Sequence, residues 1–388
     1  MALETKAYRT FKQEMIEFIW KELDPYEPEI ERTGRIPLDD LFPKLRRMRC
    51  FGLMVPEAYG GVGLSVSQYV AILAELSKIH GGIRVIVHVH NTTAKAIAQL
   101  GSEAQKQALL PKVATGEWSV AFGLTEPDAG TGRDLKTRMV RDGDHFVVNG
   151  RKHLITNSEF ASHFMVFGHT DPTRGARGIS ALMVDRDTPG FTISDMPETM
   201  GCRGGQHGYL TFKDCRVPVS KILGREGEGL LQMTVALEVS RLFIAATSLG
   251  TAERALELSL DFSKKRVTFG KPIAERQAVQ GYLADMATDL YALRAMVADA
   301  AKKADRGERI PAEASMCKLF GLEAVGRITD RALLVHGGVG YTRKYPIERL
   351  YRDARLNWVE EGTPTIQRLV IAREFLGGYR WTDDRDLG

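Results

Sequence analysis

The feature that most limits how this chain can fold is a block of short, β-branched segments between two long helical stretches. From Ser119 to about Gly224 the sequence contains the strand-like runs SVAFGL, TRMV, HFVVNG, FMVFGH, GISALMVD, GFTIS and YLTF. Each run has 4 to 8 residues, the usual length of a strand in an all-β domain. Asp142-Gly143, a dipeptide typical of tight hairpins, joins two of them. The block therefore predicts a β-domain of sandwich or barrel type.

Hydrophobic periodicity predicts helices on both sides of this block. Ser102 and Gln105 form a capping-box pattern at the start of a helix over 103–115. Leu230 to Leu249 is apolar nearly all round, which predicts a buried helix. A seam of an antiparallel bundle follows, at Val279, Leu283, Met286, Leu290, Leu293 and Val297. The sequence thus predicts an α+β chain with a helical domain at 1–118, a β-domain at 119–225 and a helical bundle at 226–388.

Composition argues against several classes of function. The net charge is +4 and no basic tract with interleaved aromatic residues is present, so nucleic acid is not an expected partner. No uninterrupted apolar run reaches the roughly 18 residues that a membrane span needs. The four cysteines form no Cys-x-x-Cys pair, and the His88-x-His90 pair has no evident third ligand. We therefore expect a cytoplasmic protein with no metal site, no membrane span and no secretory signal.

A candidate catalytic carboxylate lies in the stretch LNWVEEGTPTIQRLVIAR, residues 356–373. The pattern predicts an extended segment, a Glu-Gly turn and then a helix with Thr363 as N-cap and Pro364 in its first turn. Glu361 would lie on the loop after an apolar run, where loss of water raises a carboxylate pKa and suits a general base. The alternative is that Glu360 and Glu361 only favour the positive end of a helix dipole.

Four other positions could carry binding or could be structural. The loop GLTEPDAGTG at 123–132 exposes backbone N–H groups that can hold a polar ring or a phosphate, or it is a simple turn. Thr156 ends a strand, and Arg266 ends a helix, where a cation is favourable without any ligand. Arg241 lies in the apolar stretch VALEVSRLFIAA and needs an anionic or carbonyl partner, which a structural salt bridge could also supply.

Several segments, in their order and spacing, resemble the acyl-CoA dehydrogenase family. They are PEAYGGVGLS, GLTEPDAG, GRKHLITN, MGCRGG with FKDCRVP, KRVTFGKPI, VHGGVGY with YPIERLYRDAR, and EEGTPTIQRLVIAR. The resemblance covers essentially the whole chain. It implies an N-terminal helical domain, a middle β-barrel or sandwich domain and a C-terminal four-helix bundle, with FAD held between them. It also implies an acyl-CoA thioester substrate, an electron-transfer flavoprotein as electron acceptor, and a homotetramer or at least a dimer.

The resemblance assigns individual residues to the cofactor and to the substrate. Those assigned to FAD are Phe122, Leu124, Thr125, Gly130, Thr131, Leu154, Thr156, Arg266, Thr268, Phe269, Gln277, Leu334, Gly337, Gly338, Thr363 and Thr365. Of these, Arg266 to Gln277 would hold the pyrophosphate and adenosine part, and Leu334 to Gly338 would meet the adenosine end across a dimer. Thr131, Glu238, Arg241 and Gly362 are assigned to the acyl-CoA substrate.

The resemblance also assigns the reaction. Glu361 would remove the pro-R α-proton while the β-hydrogen leaves as a hydride to flavin N5. The thioester carbonyl would be bonded by a backbone N–H of the Glu361 loop and by the flavin ribityl chain, which stabilises the developing enolate. A second subgroup of the family carries its base at the position of Ser240, which is not a carboxylate here, so the base is expected at Glu361.

Departures from the family pattern predict a divergent member. Gly130-Thr131-Gly132 replaces Gly-Ser-Asp, Leu154 replaces a tryptophan, Leu334 replaces a glutamine, and Gly205 replaces a serine or threonine. The polar set His88, His90, Asn91 and Thr92 falls where the family's acyl pocket begins and predicts a short, cyclic or polar acyl group, unless these residues lie on the surface of a helix start. Alternatives are a dehydrogenase of carrier-protein-bound acyl groups, an acyl-CoA oxidase, a non-redox lyase, or a flavin-free helical binding protein.

Overall fold

The computed structural model describes residues 5–129, 134–205 and 207–378, except the side chain of Leu231. Within them, the first stretch is helical. Its helices are α1 (Thr5–Phe18), α2 (Glu27–Thr33), α3 (Leu38–Arg47), α4 (Val66–Leu76), α5 (Gly81–Leu100) and α6 (Glu103–Thr115). The predicted capping box of α6 is confirmed, since Ser102 and Gln105 satisfy each other's backbone N–H groups. Ser65 and Gln68 form a second box at the start of α4.

Each predicted strand-like run forms a strand. The strands are β1 (Val120–Gly123), β2 (Arg138–Asp142), β3 (His145–Thr156), β4 (His163–His169), β5 (Ile179–Asp185), β6 (Phe191–Asp195) and β7 (His207–Pro218). They form one seven-stranded sheet in the order β1-β4-β2-β3-β7-β6, with β5 paired to β4. The hairpin predicted at Asp142-Gly143 joins β2 and β3. The pairs β1–β4 and β2–β4 are parallel, so the sheet is mixed.

The sheet encloses an apolar core built from alternate residues of its strands. Phe146, Val148, Phe164, Val166 and Leu182 are fully buried there. Phe191 stacks on Phe212 with ring centroids 4.7 Å apart, and Phe164 meets Phe191 edge-on at 5.0 Å. Since β-branched and aromatic side chains fill a half-buried pleated surface well, this core explains why these runs are strands.

The remaining chain is again mostly helical. Its helices are α7 (Gly229–Lys265), α8 (Gln277–Asp305), α9 (Pro311–His336), α10 (Ile347–Ala354) and α11 (Pro364–Leu376), with the two-residue strands β8 (Val267–Thr268) and β9 (Lys271–Pro272) between α7 and α8. Helix α9 packs against α8, α10 and α11. Of the predicted seam residues of α8, Met286, Leu290, Leu293 and Val297 are buried, whereas Val279 and Leu283, nearer the start of the helix, are only half-buried.

The chain forms two compact units, Met1–Ala236 and Leu237–Gly388, with the boundary inside α7. The predicted α+β class is confirmed, whereas the division into three domains stays a prediction. One helical segment, Gln232–Lys265, is long and apolar enough by length and composition to cross a membrane, although no uninterrupted apolar run marks it in the sequence. It is 67% buried inside the protein, as the core helix of a globular unit is, so it is weak evidence for a span.

Two local expectations around Glu361 need correction. Leu356–Trp358 is a 3₁₀ turn and not an extended segment. Asn357 in that turn is buried and donates to Ser248 Oγ of α7 at 3.0 Å, which favours a compact turn over an extended chain. Thr363 is the N-cap of α11, as predicted, but its side chain makes no capping hydrogen bond.

We expect the sheet core to tolerate truncation poorly. Val166→Ala in β4 removes buried apolar surface and leaves a cavity, which should cost about 2–3 kcal/mol of unfolding free energy. The matched control is Val140→Ala in β2, whose side chain is 61% exposed, and it should change that free energy by less than about 0.5 kcal/mol. Urea denaturation of both variants measures the difference, and equal losses would contradict the assignment of the core.

Candidate active site

The loop at Glu361 has an uncommon backbone conformation. Glu361 has φ +54° and Gly362 has φ +93°, so two consecutive residues are left-handed. Glycine adopts this region freely, but a residue with a side chain in it is strained by roughly 1–3 kcal/mol and persists only where its surroundings enforce it. Such strain is concentrated at functional sites.

Two buried side chains hold this loop. Lys318 of α9 donates its Nζ hydrogens to the carbonyl oxygens of Glu360 and Gly362, which flank Glu361. Gln367 of α11 donates to the carbonyl of Glu361 at 3.3 Å and to that of Gly362 at 2.9 Å. Both Lys318 and Gln367 are 0% exposed. The carbonyls of all three loop residues are therefore hydrogen-bonded, which explains how the strained conformation is maintained.

Lys318 was not among the site residues predicted from the sequence. Its signal is its position on α9, where a lysine shares a buried face with Ala314, Gly321 and Leu322. A lysine on an apolar helix face needs acceptors for its ammonium group inside the protein.

The Glu361 carboxyl group lies in an environment suited to a base. Its Oε2 is buried and accepts no hydrogen bond from the described part of the chain. Burial raises the pKa of Glu361 to about 7, and the neighbouring Glu360 adds to this effect, while Ser240, Lys318 and Arg241 act in the opposite direction. Ser240 Oγ lies close enough to lower this pKa, although Ser240 Oγ and Glu361 Oε2 form no hydrogen bond with each other.

Arg241 brings a cation to the same place. It follows Ser240 on α7 and is only 9% exposed. Burial lowers the pKa of its guanidinium group, and the charges of Glu361 and Glu238 oppose that shift. Its Nε donates no hydrogen bond to any residue that the structure describes. Glu361 and Glu238 therefore act on Arg241 through their charges, while no ion pair to Arg241 lies within 4 Å among the described residues, and its Nε remains available as a donor.

Glu238 holds the start of α9 in place. Its carboxylate accepts hydrogen bonds from Arg309 Nε at 2.8 Å and Nη2 at 2.6 Å, and from the backbone N–H of Ile310 at 2.7 Å. Since Ile310 directly precedes α9, these bonds fix the start of that helix. The assignment of Glu238 to the substrate stays a prediction.

The residues predicted to line the flavin in the first unit cluster at the ends of β1 and β3. Phe122 packs on Phe167 with ring centroids 5.0 Å apart. The carbonyl of Thr125 accepts from the N–H of His153 at 2.9 Å, which places Thr125 beside the bulge in β3 that carries Leu154. Leu154 is left-handed, with φ +55°, and 49% exposed, and Thr156 is half-buried at the end of β3. Gly130 and Thr131 lie outside the described residues.

A buried ion pair, also missed, supports this loop. Lys152 Nζ lies 2.7 Å from Glu126 Oε1 and donates to the carbonyl of Leu124 at 3.2 Å. Glu126 also accepts from the N–H of Thr137 at 3.0 Å. Lys152 is 0% exposed and Glu126 is 3% exposed. The pair therefore joins Leu124 and Thr125 to β3.

In the second unit, four predicted cofactor residues surround the β8–β9 hairpin. Arg266 is exposed and its carbonyl accepts from Ile273 N–H at 2.8 Å. Phe269 is left-handed, with φ +49°, and 96% exposed. Arg276, which sequence reasoning missed, donates to the carbonyl of Thr268 at 2.8 Å and lies 5.8 Å from the ring centroid of Phe269. Gln277 follows as the first residue of α8.

The other predicted cofactor residues lie at the ends of α9 and the start of α11. Leu334 is 55% exposed, and a Cβ added at Gly337 or Gly338 would meet no atom within 4 Å. His336 stacks on Phe262 of α7 with ring centroids 4.3 Å apart, which links the end of α9 to the segment just before Arg266. Thr363 and Thr365 are exposed at the first turn of α11, next to Gly362.

The polar set predicted for the acyl pocket lies in the buried part of α5 and not on a helix surface. His90 Nε2 bonds the carbonyl of Val113 at 3.0 Å, and Asn91 bonds Met54 N–H and the carbonyls of Cys50 and Val87. His90 and Asn91 therefore satisfy backbone groups. Burial lowers the pKa of His88 to about 3, so its ring is neutral. Among the described residues, no group of three or more His, Cys, Asp and Glu could hold a metal ion.

Comparison with known proteins identifies the fold. Three family models match the chain: the acyl-CoA dehydrogenase N-terminal domain at residues 5–117, the middle domain at 121–215 and the C-terminal domain at 227–376. An acyl-CoA dehydrogenase of Bacillus subtilis is 39% identical over 93% of this chain and 96% of its own length.

Two solved structures are similar throughout. Butyryl-CoA dehydrogenase from Megasphaera elsdenii has a TM-score of 0.92 and 34% identity, covering 97% of this chain and 99% of that one. A chain from a structural study of the electron transferring flavoprotein of Acidaminococcus fermentans has a TM-score of 0.92 and 36% identity, covering 97% of this chain and 100% of that one. With these matches along nearly its whole length, the chain belongs to the acyl-CoA dehydrogenase family and is an oxidoreductase that acts on acyl-CoA.

Proposed function

We propose that this protein is an FAD-dependent dehydrogenase that converts an acyl-CoA thioester to its 2-enoyl-CoA, with Glu361 as the base that removes the α-proton. The observation that carries the proposal is the strained, firmly held loop that presents a buried Glu361 carboxyl oxygen without a hydrogen-bond partner among the described residues. A protein that used Glu361 only to favour a helix dipole would have no need of this strain or of this desolvation.

The pKa of Glu361 fits the role. A general base works best when its pKa lies near the working pH, and burial raises this one from an ordinary value of 4.5 to about 7. A base placed in this way contributes about 10²–10⁴-fold to the rate. The N–H groups of the Glu361–Gly362 segment are proposed to bond the thioester carbonyl as enolate character develops, and the fixed carbonyls of the loop support this by holding the backbone rigid.

The residues present fit FAD. An exposed Arg266 and the exposed ring of Phe269 lie on one hairpin, which suits an anionic pyrophosphate and a flat ring system. The open backbone at Gly337 and Gly338 also allows close approach of a ligand in this unit. Within the first unit, considered by itself, the left-handed, exposed Leu154 lies beside the Thr125 loop. When bound, FAD supplies the acceptor for the hydride that leaves the β-carbon.

The acyl group is proposed to be short, cyclic or polar. Support comes from the part of α5 where the family resemblance places the start of the acyl pocket, since His88 and Thr92 lie there one helical turn apart and are both buried. Thr92 Oγ1 has no hydrogen-bond partner in the described part of the chain. A long apolar chain would gain little from a buried neutral imidazole and a hydroxyl group.

The partners are proposed on separate grounds. An electron-transfer flavoprotein is proposed as the acceptor because of the similarity to the Acidaminococcus chain. A homotetramer is proposed because the family resemblance implies one, and exposed apolar side chains of the second unit, Tyr341, Leu369 and Leu376, are available for subunit contacts. A cytoplasmic location is proposed because all four cysteines are buried free thiols.

The first test is an anaerobic titration of the purified, yellow protein with a panel of acyl-CoA thioesters, followed by the visible flavin spectrum. Bleaching by a short, cyclic or polar acyl-CoA supports the proposal and identifies the acyl class. Bleaching only by carrier-protein thioesters would mean that the acyl group of the substrate is carried by a protein and not by CoA. A colourless protein, or a flavin that none of the thioesters bleaches, would refute dehydrogenation.

We expect Glu361→Gln to keep FAD but to lose bleaching by substrate, by a factor of at least about 10² in the rate of flavin reduction, because glutamine cannot accept the α-proton. The matched control is Glu308→Gln, which removes an exposed carboxylate of the same unit and should leave the rate unchanged. Near-normal reduction by Glu361→Gln in stopped-flow measurements would place the base elsewhere.

The raised pKa of Glu361 also predicts a pH-dependent stability. Between pH 4.5 and about 7 the folded state binds more protons than the unfolded chain, so this group makes the protein less stable as the pH rises through that window. Glutamine does not ionise. Glu361→Gln should therefore match the wild type near pH 4.5 and exceed its unfolding free energy by about 1–3 kcal/mol at pH 8. Urea denaturation at both pH values measures this, and a difference independent of pH would be the contrary result.

Arg266→Ala should weaken FAD retention by about 10–100-fold, since a hydrogen bond to a charged group contributes about 1.5–3 kcal/mol. The measurement is the flavin-to-protein absorbance ratio after dilution and gel filtration. Arg225→Ala, at an arginine side chain that is 85% exposed, is the control and should retain the wild-type ratio. Equal FAD content in both variants would remove Arg266 from the site.

A further inference from the structure

Two helices hold the loop that carries Glu361. One follows the loop directly in sequence and the other is distant from it. Gln367 belongs to α11, which directly follows the loop, so its hydrogen bonds move together with the loop's own helix. Lys318 belongs to α9 and is 42 residues before Glu360 in sequence. Its hydrogen bonds therefore fix the loop relative to a separate element of the unit.

The hydrogen bonds of Lys318 lie on both sides of Glu361. Its ammonium group donates to carbonyls on both sides of Glu361, those of Glu360 and Gly362. These two bonds span the residue whose φ is +54°, so they resist the backbone rotation that would release the strain.

The ammonium group of Lys318 is buried among other charges. The carboxylates of Glu361 and Glu360 attract it and the guanidinium group of Arg241 repels it. Burial lowers the pKa of Lys318 to about 8, while the two carboxylates favour its charged form. The lysine is thus both a hydrogen-bond donor to the loop and a positive charge close to its carboxylate.

We propose that Lys318 is a positioning residue for Glu361, and that its ammonium group fixes the loop backbone so that the Glu361 carboxylate projects toward the α-carbon of the substrate. The inference rests on the function proposed above, in which Glu361 is the base. Lys318 acts through the loop and has no assigned contact with substrate or cofactor. Because a misplacement of about 1 Å at a reacting group can cost on the order of 10²-fold in rate, a loop held less firmly should be visible in kcat.

Lys318 should affect kcat in two ways, through its charge and through its hold on the loop backbone, and the pH dependence of kcat distinguishes them. Its charge, together with Arg241 and the proximity of Ser240, holds the pKa of Glu361 below the value that burial and Glu360 would otherwise give. Removing that charge should move the acid limb of the kcat–pH profile to higher pH, and this loss should recover in alkali. The loss of positioning should remain at every pH.

The test compares Lys318→Met, which has similar length but no charge and no donor, with Lys318→Arg, which keeps both. For Lys318→Met we expect kcat to fall 10–100-fold at its pH optimum, the acid limb to move to higher pH, and KM to change by less than about 3-fold. Lys318→Arg should keep the wild-type acid limb and recover part of kcat.

A second measurement does not depend on activity. Hydrogen exchange of the peptide that spans residues 356–366 should be at least about 10-fold faster in Lys318→Met than in the wild type. The matched control is Lys303→Met, at a lysine of α8 that is 5% exposed and lies 3.2 Å from Glu313 and 3.0 Å from Asp299. It should lose stability without faster exchange in this peptide and without a change in the acid limb. If Lys318→Met does not fold, Lys318→Gln, which is shorter and uncharged but keeps an amide NH2 group, replaces it in both measurements.

Wild-type loop exchange in the Lys318 variant, or a kcat–pH profile that follows the Lys303 control, would overturn the inference. Should no acyl-CoA reduce the wild-type flavin, the proposed function fails, but loop exchange still decides whether Lys318 holds the Glu361 backbone. Faster exchange without any loss of kcat would likewise refute the positioning role while leaving the dehydrogenase proposal intact.

Discussion

The second unit depends on a buried ammonium group that hydrogen-bonds to the protein backbone. Lys318 is fully buried, and its donors reach carbonyls of a loop whose two central residues are left-handed. A buried charge is tolerated when it is hydrogen-bonded and close to opposite charge, and both conditions hold here. The hydrogen bonds of Lys318 thus offset both the cost of burying its charge and the backbone strain at Glu361.

The first unit uses a related device. Lys152 is also fully buried, and it joins the carbonyl of Leu124 to the carboxylate of Glu126. In each unit a buried lysine therefore donates to the backbone of an irregular loop, to one carbonyl in the first unit and to two in the second. Each of these loops carries residues that the family resemblance assigns to cofactor or substrate. Loops carry function most effectively when a rigid scaffold orients them, and here the scaffold is a helix in one unit and a sheet in the other.

Much of this structure could be predicted from local patterns. The capping box at Ser102, the hairpin at Asp142-Gly143 and the strand-like runs each depend on a few neighbouring residues, and each was found where expected. The segments that resemble the family likewise assigned Glu361 as the base and Arg241 to the substrate. The tertiary contacts were not predictable in this way. Lys318 meets a loop 42 residues away, and Glu238 meets Arg309 across 71 residues, so no local pattern marks either pair. The 3₁₀ turn at Leu356–Trp358 was missed for the same reason, since the contact of Asn357 with Ser248 spans 109 residues.

One turn of α7 connects two parts of the second unit. Glu238 fixes the start of α9 through Arg309 and Ile310, and Ser240 and Arg241 lie beside Glu361. A single inserted residue would rotate everything after it by about 100° around the helix axis, so both groups could not be kept in place. The Asp142-Gly143 hairpin differs, since a Cβ added at Gly143 meets no atom within 4 Å. Among relatives of this chain, insertions and deletions should therefore occur at that hairpin but not between Glu238 and Arg241.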